Sequence, residues 1–147
     1  MIRLRLNAPA PGDSAMDRLE NRLPAVLRES LEQSLQDGLE AARQALGQRG
    51  TPGGGGGLAA SLGSRQSAWG LCLEGELYSD LPYAGVQEYG ASIQALRAKY
   101  LKFQVAGHWV QVRRVTVPAR PFLAPGARAA AEALEGHLTR ALVEEMP

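Results

Sequence analysis

A stripe of leucines in the first third of the chain constrains the fold more than any other feature. The leucines recur every fourth residue from Leu19 to Leu39, and Ala42 and Leu46 continue the row. This spacing is typical of an amphipathic α-helix, so we predict a helix over residues 14–48. A straight helix of that length would be about 50 Å long, whereas a compact domain of this size has a radius of gyration of about 15 Å. The helix therefore has to break, or project and meet a partner.

The residues around this helix predict where it begins, breaks and ends. Asp13 or Ser14 can cap its N-terminus by accepting hydrogen bonds from free amides. Pro24 lies inside the periodic stretch and predicts a break or kink near Leu23, because proline has no backbone N–H. Residues 47–57 are typical of a flexible loop, since their five consecutive glycines have a high entropic cost of ordering.

Alternating apolar residues predict strands on both sides of that loop. Residues 2–6 alternate isoleucine or leucine with arginine, which indicates a short strand with one solvated face. Residues 58–64 predict a short helix or turn. Residues 67–78 predict a further strand, in which Gly75 is a candidate interruption.

The second half of the chain continues with short elements. Residues 81–90 predict a helical turn that ends at Gly90, and residues 91–98 predict a loop or one turn of helix. Residues 100–105 and 108–117 predict a hairpin, because apolar alternation resumes on either side of an Ala-Gly turn. Within the second hairpin strand the apolar parity switches at the Arg113–Arg114 pair, which predicts a bulge there.

The chain ends with a stiff connector and a second long helix. Three prolines make residues 118–126 an extended segment, and an alanine-rich apolar stripe predicts a helix over residues 126–145. We therefore expect one α+β domain over residues 1–147. It would contain an antiparallel sheet of about four strands, with the long N-terminal helix and the C-terminal helix packed on one face.

Composition excludes several classes of protein. The 16 basic and 15 acidic side chains give a net charge of +1, so no overall field draws the chain to nucleic acid or to a membrane surface. The one cysteine, Cys72, excludes an intramolecular disulfide. No stretch approaches the roughly 20 apolar residues of a membrane span. We expect a soluble product of the cytoplasm, or a component assembled there.

Catalytic chemistry finds little support in the residues. The two histidines, His108 and His137, have no metal-ligand spacing around them. Glu74 and Glu76 could act as an acid and base pair, but a solvated strand edge explains them better. We therefore predict no enzymatic activity, no cofactor and no metal.

A group of basic residues near two aromatics supports two interpretations. It comprises Lys99, Lys102, Arg113, Arg114 and Arg120, close in sequence to Tyr100 and Trp109. Ordinary charge on a solvated sheet face is one interpretation. The other is a surface that contacts DNA or an acidic partner subunit.

Two segments go beyond generic patterning: YAGVQEYG at residues 83–90 and VTVPARPFLAPG at residues 115–126. A hairpin lies between them, and LAASL precedes them at residues 58–62. In this order the set resembles the small tail-completion and head–tail joining proteins of long-tailed phages, which are also named minor tail, neck or virion-morphogenesis proteins. That family has the elements G-x-L-x-x-S-[IL], Y-A-x-x-x-E-[YF]-G and P-x-R-P-F-L before a final helix. The resemblance covers roughly residues 55–140.

The resemblance implies a structural role in the virion. Copies would form a ring, often six-fold, at the neck or the top of the tail, where it completes the tail or joins it to the head. The implied partners are further copies of the chain and neighbouring tail-tube, connector or head-completion proteins, with room for incidental contact with packaged DNA. The implied place is the virion, assembled in the host cytoplasm. An assembly chaperone or binding module absent from the mature particle is the alternative.

The motifs and the basic group together supply the candidate interaction residues, some of which also have a structural interpretation. Phe122 and Leu123 could anchor a partner, or Phe122 could cap the protein's own core. Arg120 could pair with Glu88 and fix a corner between the two motifs. The full set of candidates is Tyr83, Glu88, Tyr89, Arg113, Arg114, Arg120, Phe122 and Leu123.

Overall fold

The computed structural model describes residues 2–7, 16–48, 56–69 and 72–145, and the predicted N-caps and most of the glycine-rich loop lie outside them. The chain divides into two compact units. We call residues 1–81 with 122–147 the helical unit, and residues 82–121 the hairpin unit. That residues 1–147 fold together as one domain stays a prediction.

The described residues form four helices and seven strands. In chain order they are β1 (Ile2–Asn7), α1 (Met16–Gln48), α2 (Gly56–Ala60), β2 (Leu62–Trp69), β3 (Cys72–Ser79), α3 (Ala84–Tyr89), β4 (Ala91–Gln94), β5 (Leu101–Val105), β6 (His108–Val112), β7 (Arg114–Val117) and α4 (Leu123–Glu145).

The helical unit is an antiparallel sheet, in the order β1-β3-β2, covered on one face by α1 and α4. Leu73, Gly75 and Leu77 of β3 share the covered face, because alternate residues of a strand point the same way. A Cβ on Gly75 would lie 3.0 Å from Leu31 and 3.1 Å from Leu35, so glycine lets α1 approach the sheet closely. The predicted packing of both helices on one face is confirmed.

The C-terminal half of the leucine stripe forms the core of the helical unit. Each buried leucine contributes about 1.5–3 kcal/mol relative to exposure. Ser34 is also fully buried, and its hydroxyl donates to the carbonyl oxygen of Ser30 at 2.7 Å, so burial leaves that hydroxyl satisfied. The stripe residues that are at most 5% exposed are Leu31, Leu35, Leu39, Ala42 and Leu46.

Both long helices run past their prolines. α1 continues through Pro24, so of the predicted break or kink the break does not occur. Pro24 is exposed, and packing along the rest of a 33-residue helix can outweigh one lost hydrogen bond. α4 begins at Leu123, three residues before the predicted start, because Pro125 falls in the first turn, where an amide hydrogen has no partner within the helix.

The strand predicted over residues 67–78 is in fact parts of two strands. β2 and β3 pair antiparallel from Leu62 opposite Ser79 to Trp69 opposite Cys72. β3 is continuous through Gly75. Most of β2 is polar and gives no apolar alternation, so its pairing is invisible to a pattern based on hydrophobicity.

The hairpin unit contains α3 and two separate two-stranded sheets, β5-β6 and β4-β7. The hairpin prediction is confirmed, but β4 occupies part of the predicted loop at 91–98. The parity switch at Arg113 has a different cause from a bulge: β6 ends at Val112, and β7 begins at Arg114 and pairs with β4 instead of β5. The fold combines helices with antiparallel sheets as predicted, although the described strands form three sheets and not one.

Candidate interaction surface

The motif at residues 83–90 ends on a glycine that the backbone requires. Gly90 has φ +73° and closes α3, where its amide donates to the carbonyl oxygen of Val86 at 2.9 Å. A Cβ at this position would lie 2.8 Å from the carbonyl oxygen of Val117 and 2.8 Å from the amide nitrogen of Ala119. Any side chain would therefore collide with the segment that follows β7.

The two sequence motifs meet in the hairpin unit. Besides the contact of Gly90 with Val117 and Ala119, the backbone amide of Arg120 donates to the carbonyl oxygen of Gln87 at 2.8 Å. A backbone hydrogen bond between the two motifs fixes the course of the proline-rich segment against α3. The motifs therefore have a structural reason to occur together.

The aromatic residues of the first motif face solvent, and its acid does not. Tyr83, at the start of α3, is 51% exposed and Tyr89, at its end, is 70% exposed. Glu88 is 4% exposed. The exposed tyrosines are available to a partner, whereas Glu88 belongs to the interior of the protein.

One face of the β5-β6 hairpin groups cationic and aromatic side chains. Lys102 lies opposite Gln111, and Gln104 lies opposite Trp109. Directly opposed residues in an antiparallel pair share a face. We call this set, together with Tyr100 and Arg113 at the open end, the hairpin face.

Cation–π contacts position the basic side chains of this face over its aromatic rings. The Lys102 ammonium lies 5.1 Å from the centre of the Trp109 ring, and the Arg113 guanidinium lies 5.8 Å from that of Tyr100. Lys99 lies 5.7 Å from the same tyrosine ring. Each such contact contributes about 0.5–1 kcal/mol at an exposed site. The contacts hold the cations over the rings without neutralising them.

The two units differ strongly in charge. Residues 82–121 contain six basic side chains and one acidic one, Glu88, which is buried. The rest of the chain contains ten basic and fourteen acidic side chains. The net charge of +1 conceals this asymmetry, and a count by segment would have revealed it from the sequence.

Large apolar side chains add to the exposed surface of the hairpin unit. Leu96 is 92% exposed, in the segment between β4 and β5, and no pattern in the sequence singled it out. Exposed apolar groups that are clustered mark interaction surfaces. The exposed set is Tyr83, Tyr89, Ile93, Leu96, Tyr100, Val105 and Trp109.

The remaining candidate residues have structural surroundings. Phe122 is 0% exposed and Leu123 is 6% exposed, so both lie in the interior and not on the surface as anchors. This is the core role that the sequence left open for Phe122. Arg114 is exposed and donates to the side-chain oxygen of Gln94 across β7 and β4, at 3.2 Å.

The carboxylates considered for catalysis are ion-paired on the outer face of the sheet in the helical unit. Glu74 lies 3.6 Å from both Arg3 and Arg5, and Glu76 accepts a hydrogen bond from Arg65 at 2.5 Å. The hydrogen bond to Glu76 raises the pKa of Arg65 above its ordinary value. These carboxylates act as counter-ions to arginines.

The two histidines and the cysteine lie at separate places in the structure. His137 is within 2.8 Å of an Asp37 oxygen, His108 is exposed at the start of β6, and Cys72 is a free thiol at the start of β3. Within the described ranges no group of three or more histidines, cysteines and carboxylates is placed to hold a metal. None of the described helices has the length and apolar character of a membrane span.

Comparisons with known proteins leave the surface as the main guide to function. No protein-family model, no curated protein and no solved structure matches this chain.

Proposed function

We propose that this chain is a non-catalytic structural protein of a phage virion. Copies form a ring, expected to be six-fold, at the neck or the top of the tail, where the ring completes the tail or joins it to the head. Its partners are further copies and the adjoining tail-tube, connector or head-completion proteins. No cofactor takes part.

The observation that carries the proposal is the surface of the hairpin unit. It exposes seven large apolar side chains, and its one acidic residue is buried. Exposed Trp and Tyr beside Arg are the residues that most often dominate binding energy at protein interfaces. A surface of this kind favours assembly over catalysis.

The meeting of the two motifs gives the resemblance to tail-completion proteins a physical reason. The glycine of the first motif and the proline-rich second motif depend on each other through Gly90 and the amide of Arg120. Chance similarity in two short segments would not require contact between them. This supports the resemblance, and the resemblance supplies the place in the particle.

The test is to remove the protein from the phage that encodes it. A stop codon early in the gene, grown on a non-suppressing host, is expected to give filled heads and tails that are separate or irregular in length under the electron microscope. Peptide mass spectrometry of purified wild-type virions is expected to detect the chain in ring-like copy number. Normal joined particles from the mutant would overturn the proposal.

An assembly chaperone is the second candidate, favoured by the N-terminal part of α1, where Leu23 and Leu27 of the leucine stripe are only half-buried. The same mass spectrometry separates the two, because a chaperone is needed for particle formation and is missing from finished virions. Loss of particles together with absence of the chain from wild-type virions would support the chaperone.

A further inference from the structure

The outward side of α4 carries three carboxylates, those of Glu132, Glu135 and Glu144, and one cation, Arg140. Glu132 and Glu135 are exposed, and neither belongs to any ion pair among the described residues. Like charges three residues apart on a helix repel each other. They line a shallow groove of about 640 Å³, which we call the α4 face, with Gly136, Thr139, Arg140, Val143 and Glu144.

In the part of the chain that the structure describes, the hairpin face has unpaired cations and lacks carboxylates. Lys102 and Arg113 have aromatic neighbours and no carboxylate partner among the residues that the structure describes. The only acid of that unit, Glu88, is 4% exposed. The hairpin face therefore has cations and no carboxylate, whereas the α4 face has three carboxylates and one arginine.

The two surfaces also agree in length and in apolar character. At the rise of an extended strand, the five residues from Tyr100 to Gln104 span about 14 Å, and the twelve helical residues from Glu132 to Val143 span about 16 Å. Trp109 is 66% exposed on the hairpin face and Val143 is 62% exposed on the α4 face. Burying both on contact would add hydrophobic stabilisation to the charge pairing.

We infer that the hairpin face of one chain docks on the α4 face of a second copy. The inference rests on the proposed ring and names the two surfaces that build it. Because the two faces differ, the contact is heterologous, which is the kind of contact that builds a ring when the rotation between successive copies closes. Nucleic acid is the competing polyanion for the hairpin face, but it would leave the unpaired carboxylates of α4 unexplained.

A charge exchange in the full-length chain tests the contact by sedimentation velocity over a range of concentrations. Lys102→Glu and Glu135→Lys are each expected to weaken self-association by about tenfold or more, since each places like charges together. Both substitutions in one chain are expected to restore it to within about threefold. An equimolar mixture of the two single variants is expected to recover self-association as well. Where the two variants alternate in an oligomer, every contact joins faces of opposite charge.

The controls separate position from charge. Arg97→Glu changes the charge of the hairpin unit equally, and Glu32→Lys changes that of α1; both side chains are exposed and lie outside the two faces. Both are expected to leave self-association within about twofold of wild type. Thermal melts check folding, and Lys102→Gln and Glu135→Gln replace any variant that fails to fold.

Three results would overturn the inference in distinguishable ways. Oligomers that respond to Lys102→Glu but not to Glu135→Lys would refute the α4 face and leave the ring standing. A chain that stays monomeric at all concentrations would refute both the contact and self-assembly of the ring. Binding of short DNA oligonucleotides that is lost in Lys102→Glu, with self-association unchanged, would assign the hairpin face to nucleic acid.

Discussion

Gly38 and Gly126 lie against each other where α1 and α4 pack together. A Cβ on Gly38 would lie 2.8 Å from the carbonyl oxygen of Gly126, and a Cβ on Gly126 would lie 2.7 Å from the carbonyl oxygen of Gly38. The next nearest atom is the Cβ of Ala130 for the Cβ added to Gly38, and the Cβ of Ala42 for the one added to Gly126. The small residues allow the helix backbones to approach more closely than ordinary side chains permit.

Gly38→Ala is expected to destabilise the fold by up to about 2 kcal/mol. The gain in helix propensity, about 1 kcal/mol, is smaller than the cost of forcing two backbones apart, about 1–3 kcal/mol. Gly136→Ala is the matched control, because a Cβ there meets nothing within 4 Å, and it is expected to stabilise by about 1 kcal/mol. Urea denaturation measures both, and stabilisation by Gly38→Ala would contradict the close approach.

Gly90→Ala is expected to destabilise the hairpin unit by about 2–4 kcal/mol. Left-handed backbone costs alanine about 1–2 kcal/mol, and the contacts with Val117 and Ala119 add a similar amount. Gly85→Ala in the same helix has open space around it and serves as control. Hydrogen exchange at the Arg120 amide is the measurement, with faster exchange expected only for Gly90→Ala. Unchanged protection would show that the link between the motifs does not depend on Gly90.

Phe122→Ala is expected to lower stability by about 3–5 kcal/mol, as for other fully buried aromatics. Leu96→Ala is the control on the surface, where the side chain is 92% exposed, and is expected to change stability by less than about 0.5 kcal/mol. If Phe122→Ala proved as stable as wild type, the buried position of Phe122 would be wrong.

Glu76→Gln is expected to destabilise the helical unit by about 1–2 kcal/mol, because it removes the charge-assisted bond to Arg65. The cost stays below that of breaking a fully buried pair, since the Arg65 side chain is 60% exposed and remains hydrated. Glu132→Gln, which removes an exposed carboxylate, is expected to have little effect on stability. Equal thermal melts for the two variants would argue against a structural role for Glu76.

The elements that the sequence predicted correctly have a regular hydrophobic period. The leucine stripe predicted α1, and the alternation of apolar and polar residues predicted β1 and the β5-β6 hairpin. β2 and β4 were missed or misplaced because their residues are mostly polar, and a strand of this kind is defined by its partner and not by its own pattern. The sequence predicted only part of the candidate interaction surface. It singled out Arg113, but it did not single out Leu96, whose exposure depends on the tertiary fold.

The hairpin unit is a continuous segment placed between the two parts of the helical unit. Its strands pair with partners at most 26 residues away in the sequence. The helices α1 and α4, which pack together, are separated in the sequence by that whole segment and by β2 and β3. Local pairings form in microseconds, and contacts between distant segments slow the folding of a domain. The leucine face of α1 is therefore expected to be the last large apolar surface to be covered during folding, and the period before α4 arrives is when newly made chains are most prone to aggregate.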